Sequence, residues 1–215
     1  MVDLKNPADR TFGEYGEDGY HRLVDERVYE SNRFESSRGG RRKARHEMYM
    51  VQAFLAGLPA AQRILDVPCG MGRFTGAIRE AGHRPVNVDL NAGMLLRAQA
   101  RYDALPLLQG NVMQLPFADG AFDAALCFRL LHHLPDNLIL ATLTELRRVA
   151  GTVLTTFYST RSIKYQRKKL LGKTVSGQYY SPDHLISLSR DAGWSECRHV
   201  NPYEIHRNLH GLVLA

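Results

Sequence analysis

The chain has 215 residues, 44% of them hydrophobic, enough for one globular domain with a full core and too few for two. No apolar run approaches the roughly 20 residues of a membrane span, and a start carrying Asp3, Lys5, Asp9 and Arg10 is no secretory signal, so a cytoplasmic protein without an integral membrane segment is expected. Its net charge of +6 is concentrated in two acid-free runs, while Cys69, Cys127 and Cys197 stand at no metal-ligand or redox spacing, so reduced thiols and no metal are expected.

Residues 1 to 40 alternate acidic, polar and aromatic residues without a clean period, as an arm packed over a site would. From 41 to 58, Ala44, Met48, Val51, Phe54 and Leu55 form a helical stripe that stops at Gly57 and Pro59. Residues 63–67 then read as a strand, 73–81 as a helix stopped by Gly82, and 85–89 as a second strand. Asn91 caps a helix running to Arg101, and 105–109 is a third strand. Residues 122–128 form a buried strand, 136–149 a helix with Leu143, Leu146 and Val149 facing inward, and 152–158 a β-branched strand.

The pattern breaks after Tyr158. Residues 159–181 are basic and aromatic, with a weak helical signal from Ile163, Leu170 and Leu171, and read as an insertion. Ser181 caps a helix that starts at Pro182 and stops at Gly193. Residues 196–201 and 209–214 are left as an antiparallel hairpin at the sheet edge, joined by a loop containing Pro202. The predicted fold is α/β, a doubly wound and mostly parallel seven-stranded sheet with helices on both faces and a C-terminal antiparallel hairpin. Residues 1–60 would form an N-terminal arm and helix acting as a lid, and 61–215 a ligand-binding domain carrying the insertion at 159–181.

In such sheets ligands bind beyond the carboxyl ends of the strands. The first strand ends in Asp66 and breaks into Val67-Pro68-Cys69-Gly70-Met71-Gly72, where two glycines let a ligand approach bare backbone ahead of a helix start. Asp89 closes the second strand, seventeen residues after Gly72, where a carboxylate accepts from both hydroxyls of a ribose; a nucleoside-containing cofactor is implied. The dinucleotide fingerprint would need glycine at position 75, but Thr75 stands there and Gly76 comes one residue late. Asp66 is ill-placed beside phosphates and well placed beside an ammonium or sulfonium group, so the cofactor should carry positive charge.

Ile64-Leu65-Asp66-Val67-Pro68-Cys69-Gly70-Met71-Gly72 resembles the first motif of the class I S-adenosylmethionine-dependent methyltransferases, of the small-molecule type. Val86-Asn87-Val88-Asp89-Leu90-Asn91 resembles the second, Gly110-Asn111 with Leu115-Pro116-Phe117 the third, and Phe122-Asp123-Ala124 through His132-His133-Leu134 the fourth. The segment Glu145-Leu146-Arg147-Arg148-Val149 is similar to the end of the helix before the family's fifth strand. Three positions depart from the pattern. Pro68 replaces the usual first glycine and removes a backbone donor, Asn111 stands where an acid is commoner, and the usual Pro-Gly-Gly turn is reduced to Ala150-Gly151.

The resemblance implies a Rossmann-like methyltransferase fold and S-adenosylmethionine as cofactor. Asp66 would orient the methionine amino group, with Pro68, Gly70 and Gly72 lining that end and Arg129 beside it. Asp89 would hold the ribose, Leu90 the adenine face, and Asn111 and the Val112 backbone the adenine edge. His132 and His133 follow the fourth strand at the cofactor's reacting end and are candidates for a general base, which a hydroxyl acceptor would need. Tyr158, Tyr179 and Tyr180 would shape the acceptor pocket. Arg45 from the run Arg38–Arg45, and Lys164 and Arg167 from the run Arg161–Lys173, would attract an anionic acceptor, a metabolite or charged glycolipid precursor. The alternatives are a tRNA-modifying methyltransferase, since the His132-His133-Leu134 end is loosely similar to enzymes of the wobble position, and a cofactor-fold regulatory or scaffold protein without catalysis.

Overall fold

A computed structural model describes residues 37–174, 178–200 and 209–215, which divide into two compact units between Asn111 and Val112. The arm through residue 36 and the Pro202 loop lie outside the described residues.

The first unit opens with helix α1 (Arg38–Ala56), which starts earlier than the apolar stripe indicates because Ser37 is extended and its hydroxyl accepts from the Gly40 N–H at 2.9 Å. It is followed by β1 (Arg63–Asp66), α2 (Thr75–Glu80), β2 (Arg84–Asp89), α3 (Ala92–Arg101) and β3 (Leu107–Gln109). The three strands are parallel in the order β3-β2-β1, with Asp66 beside Asn87 and Asp89 beside Gln109. Helix α2 is shorter than expected, because Gly70 and Gly72 hold φ of +55° and +70° and keep the preceding residues in turns. The Asn91 cap is present, its side-chain oxygen accepting from the Met94 N–H at 3.1 Å. Buried His83 accepts the Gln62 N–H on Nδ1 at 3.3 Å and contacts the Leu55 carbonyl through Nε2 at 3.3 Å, which fixes the proton on Nε2 and ties the end of α1 to the sheet.

The second unit contains β4 (Phe122–Cys127), a 3-10 turn (Leu131–His133), α4 (Asp136–Val149), β5 (Ala150–Tyr158), α5 (Ile163–Leu170), α6 (Pro182–Asp191), β6 (Cys197–Val200) and β7 (Leu209–Leu214). Strands β4 and β5 are parallel, while β7 runs antiparallel to both β5 and β6, in the order β4-β5-β7-β6. Among the described residues there are thus seven strands, mostly parallel, ending in the antiparallel edge pair expected. Strand β5 begins at Ala150 rather than Thr152: Ala150 already pairs with Phe122, so α4 passes into β5 without a loop. Ile139, Leu143, Leu146, Leu126, Val153 and Phe157 are fully buried and form this unit's core. Trp194 closes it, its indole N–H donating to the Leu143 carbonyl at 3.1 Å.

The Glu145–Arg148 sequence has a structural purpose. Arg148 donates to both oxygens of Glu145 and to the carbonyls of Leu115 and Phe117, while Glu145 accepts the Leu115 N–H at 2.6 Å. These bonds clamp residues 115–117 to α4, and the Arg148 guanidinium holds the Glu145 carboxyl below its ordinary value. The basic segment after Tyr158 contains a full helix, α5, capped by the Ser162 hydroxyl on the Tyr165 N–H at 3.2 Å.

Candidate functional site

In the first unit, Asp66, Asp89 and Asn111 all stand at or just past the carboxyl ends of parallel strands, and the glycine loop follows β1 directly. The Val67–Pro68 bond is cis and Pro68 is half-buried. The backbone beyond it stays fastened to β2: the Cys69 N–H bonds to the Val88 carbonyl at 2.9 Å and the Gly70 N–H to Asp89 Oδ2 at 2.7 Å. The other Asp89 oxygen accepts from the Asn91 N–H at 2.9 Å. A carboxylate has about four acceptor positions, so capacity for hydroxyl donors remains. Burial raises the Asp89 pKa, and the bonds from Asn91, Gly70 and Leu90 oppose the rise.

Asp66 differs from Asp89. It is fully buried and neither carboxylate oxygen has a hydrogen-bond partner among the described residues. Its pKa is pushed up to about 8, chiefly by burial, with Arg73 working against the shift and Asp89 adding to it. Burial, followed by the charges of Asp66 and Asp89, also drives the Cys69 thiol pKa upward, so that cysteine is inert.

The sequence reading missed two residues. Arg73 forms an ion pair with Glu47 of α1, whose side chain is buried, and its guanidinium lies over the Phe74 ring at 4.3 Å. The signal was present: Glu47 sits one turn before Met50 and Val51, on the buried stripe of α1.

The two glycines have different surroundings. A Cβ on Gly72 would stand 3.1 Å from Thr75 Oγ1 and 3.3 Å from the Tyr102 ring, whereas one on Gly70 would project into open space. An unpartnered buried carboxylate, open space over the loop and a second carboxylate with spare acceptor capacity fit a ligand bearing a cation and hydroxyl groups. Leu90 and Asn111 are half-buried, and Arg45 is exposed on α1.

In the second unit, Val112 is buried and Arg129 follows β4 with φ of +60°, rare for a non-glycine residue. The Arg129 N–H donates to Thr156 Oγ1 at 2.9 Å and its guanidinium reaches toward the Tyr158 hydroxyl at 3.5 Å, so β5 holds this strained residue from two sides. The His132 ring is buried and stacked on Tyr158 with centroids 3.9 Å apart, and the exposed His133 lies 4.1 Å from it. Tyr158 also meets Tyr179 at 5.4 Å, and Tyr179 meets Tyr165 of α5 at 4.9 Å. Tyr180 pairs its backbone with Tyr158 and donates its hydroxyl to the Leu134 carbonyl. Predicted residues Arg129, His132, His133, Tyr158, Tyr179 and Tyr180 therefore form one cluster. Lys164 and Arg167 are exposed on α5.

A methyltransferase domain model matches residues 64–151. The chain is 28% identical over 178 residues to a sterol 24-C-methyltransferase of Gibberella zeae, covering 73% of this chain and 45% of that protein. It is 32% identical over 153 residues to a ubiquinone biosynthesis O-methyltransferase of Methylococcus capsulatus, covering 62% of this chain and 63% of the relative. The chain thus spans about half the length of the curated relatives it matches. In fold it resembles the magnesium protoporphyrin IX methyltransferase of Synechocystis, solved with bound SAH, at a TM-score of 0.65 and 15% identity, covering 94% of this chain and 96% of that one. Domain match, fold and loop chemistry agree: residues 64–151 match a methyltransferase domain, and the fold around them is that of solved methyltransferases.

Proposed function

We propose that the chain is an enzyme transferring a methyl group to a small, anionic acceptor. The observation that carries this reading is the buried carboxylate of Asp66 at the head of the glycine loop, which has no hydrogen-bond partner among the described residues. When bound, S-adenosylmethionine supplies the methyl group and the sulfur that leaves. The chain's own task is then alignment and charge placement. Asp66 accepts from the methionine ammonium, for which it must be ionised, and the backbone at Pro68, Gly70 and Gly72 lies along that end of the cofactor. Asp89 accepts from the ribose hydroxyls, Leu90 covers the adenine, and Asn111 and the Val112 N–H meet its edge. Arg129 lines the methionine end.

His132 takes the proton that a hydroxyl acceptor must lose, with Tyr158, Tyr179 and Tyr180 forming the acceptor's walls. Oxygen as the methylated atom is supported by relatives named as O-methyltransferases of ubiquinone biosynthesis and of malonyl-acyl-carrier protein. The anionic character of the acceptor is supported by Arg45, Lys164 and Arg167, all exposed cations in acid-free runs.

Calorimetry with S-adenosylmethionine on wild type and Asp66→Ala, followed by incubation of wild type with methyl-labelled cofactor and fractionated cell extract, tests this reading. Binding lost in the variant and label entering the small-molecule or lipid fraction are expected. Label in RNA alone would establish the tRNA-modifying alternative, and a wild type that binds no cofactor would leave a scaffold.

A further inference from the structure

Helix α5 has no buried residue. Leu170 is 87% exposed, Leu171 55% and Ile163 42%, three of the five large apolar side chains most open to solvent among the described residues. Ile163 and Leu170 are seven residues apart, two helical turns, and so share one face. Around them Lys164, Arg167, Lys169 and Lys173 are exposed, and no acidic residue occurs from Arg161 through Lys173.

The helix is nevertheless firmly seated. Its Tyr165 ring packs on Tyr179, Ser162 caps its start, and Arg161 pairs with Asp183 at the foot of α6 at 2.7 Å. A fixed helix that presents aliphatic side chains among cations to water is an unfavourable surface unless something covers it.

We propose that α5 is a membrane-surface anchor, with Ile163, Leu170 and Leu171 entering the interfacial layer of an anionic bilayer and the surrounding cations meeting its headgroup phosphates. The charge and the apolar residues select this occupant together. RNA would satisfy the cations, but sites for single strands bind bases on aromatic platforms, and Leu170 and Leu171 offer none. A bilayer accepts both, the aliphatic groups at the acyl boundary and the cations above it. With one short helix and a few cations the binding is reversible and depends on anionic lipid. The inference shares Lys164 and Arg167 with the proposed acceptor surface but does not rest on the cofactor assignment, because Ile163, Leu170, Leu171, Lys169 and Lys173 have no part in the proposed cofactor site.

The test is flotation of the full chain with vesicles of phosphatidylglycerol and phosphatidylcholine, or of phosphatidylcholine alone. The wild type should float with the anionic vesicles and be released by high salt. Each cation near an anionic surface is worth about a fivefold gain in partitioning, so Lys169→Glu/Lys173→Glu should weaken binding by about 25-fold or more. Leu170→Ser/Leu171→Ser should weaken it by about tenfold or more through the lost apolar burial, with cofactor affinity by calorimetry unchanged. Failure of the wild type to float, or flotation unaffected by the serine substitutions, would overturn the proposal. Binding to a uridine homopolymer with no flotation, insensitive to those substitutions, would give the surface to RNA instead. A cofactor-binding failure would sink the methyltransferase reading while leaving the flotation result intact.

Discussion

Asp89 Oδ2 accepts the Gly70 N–H at 2.7 Å, so the end of β2 and the glycine loop after β1 form one hydrogen-bonded unit. Through its other oxygen the same carboxylate holds the Asn91 N–H that opens the turn into α3. The proposed ribose contact and the loop geometry therefore depend on one side chain. Asp89→Ala should lower S-adenosylmethionine affinity at least about 100-fold, from the loss of charge-assisted bonds to the ribose, and should destabilise the ligand-free protein by about 2 kcal/mol by stranding two backbone donors. Asp89→Asn retains an acceptor oxygen and should lie between wild type and the alanine variant. Calorimetry and thermal unfolding report the two effects separately, and an alanine variant with unchanged Tm would refute the loop-holding role.

Asp66 predicts an unusual pH response. Its carboxyl pKa is about 8 in the fold against an ordinary 3.8, so the protonated form favours folding: the contribution is full below pH 3.8 and is lost as pH rises through 8. The ligand-free protein should lose stability over that window through this group, and Asp66→Asn should flatten the loss. Cofactor binding acts the other way, since an ammonium beside Asp66 favours the carboxylate. Near pH 7 binding should therefore release up to one proton, visible as a dependence of the calorimetric heat on the buffer's ionisation enthalpy and absent in Asp66→Asn. Proton uptake, or no exchange at all, would contradict the assignment.

The two glycines of the loop should separate stability from binding. Both hold positive φ, which costs an L-residue roughly 1–2 kcal/mol. Gly72→Ala adds a collision with Thr75 and the Tyr102 ring and should lower Tm strongly. Gly70→Ala meets nothing within 4 Å, so its stability cost should be the φ strain alone, while its methyl group projects into the space proposed for the methionine end of the cofactor. A Gly70→Ala variant that binds S-adenosylmethionine as tightly as wild type would remove that end of the ligand from the loop.

How much of this was legible in the sequence depended on whether the signal was local. The alternation of strands and helices, the Asn91 and Ser181 caps and the edge hairpin all follow from local patterns, and all are present. The cap at Ser37 is not marked by apolar periodicity, because the apolar stripe of α1 begins several residues later than its first turn. Helix α5 reads weakly because it buries nothing, and a buried face is what makes helical periodicity visible. The Glu47–Arg73 pair joins residues 26 apart, and the bonds of Asp89 to Gly70 span 19; no local pattern encodes either. The motifs locate Asp66, but its lack of partners among the described residues is a property of the packed fold.

His132 carries the last prediction. Its ring is buried, stacked on Tyr158 at 3.9 Å and 23° to it, and its centroid lies 4.1 Å from that of His133. Stacking on Tyr158 holds the His132 ring in one orientation, whereas the His133 side chain is exposed. On the acceptor fraction identified by methyl labelling, His132→Ala should lower kcat by about 100-fold or more if it removes general-base catalysis, with cofactor affinity preserved and the acidic limb of the pH–rate profile lost. His133→Ala should cost less than about tenfold, below the range for a positioned base. Tyr158→Ala removes the platform without removing the imidazole, so kcat should fall while the acidic limb persists, and Tyr158→Phe, which keeps the ring, should restore most of the rate. If His132→Ala keeps both its rate and its acidic limb, the acceptor loses no proton to this residue, and the cluster serves only to shape the pocket.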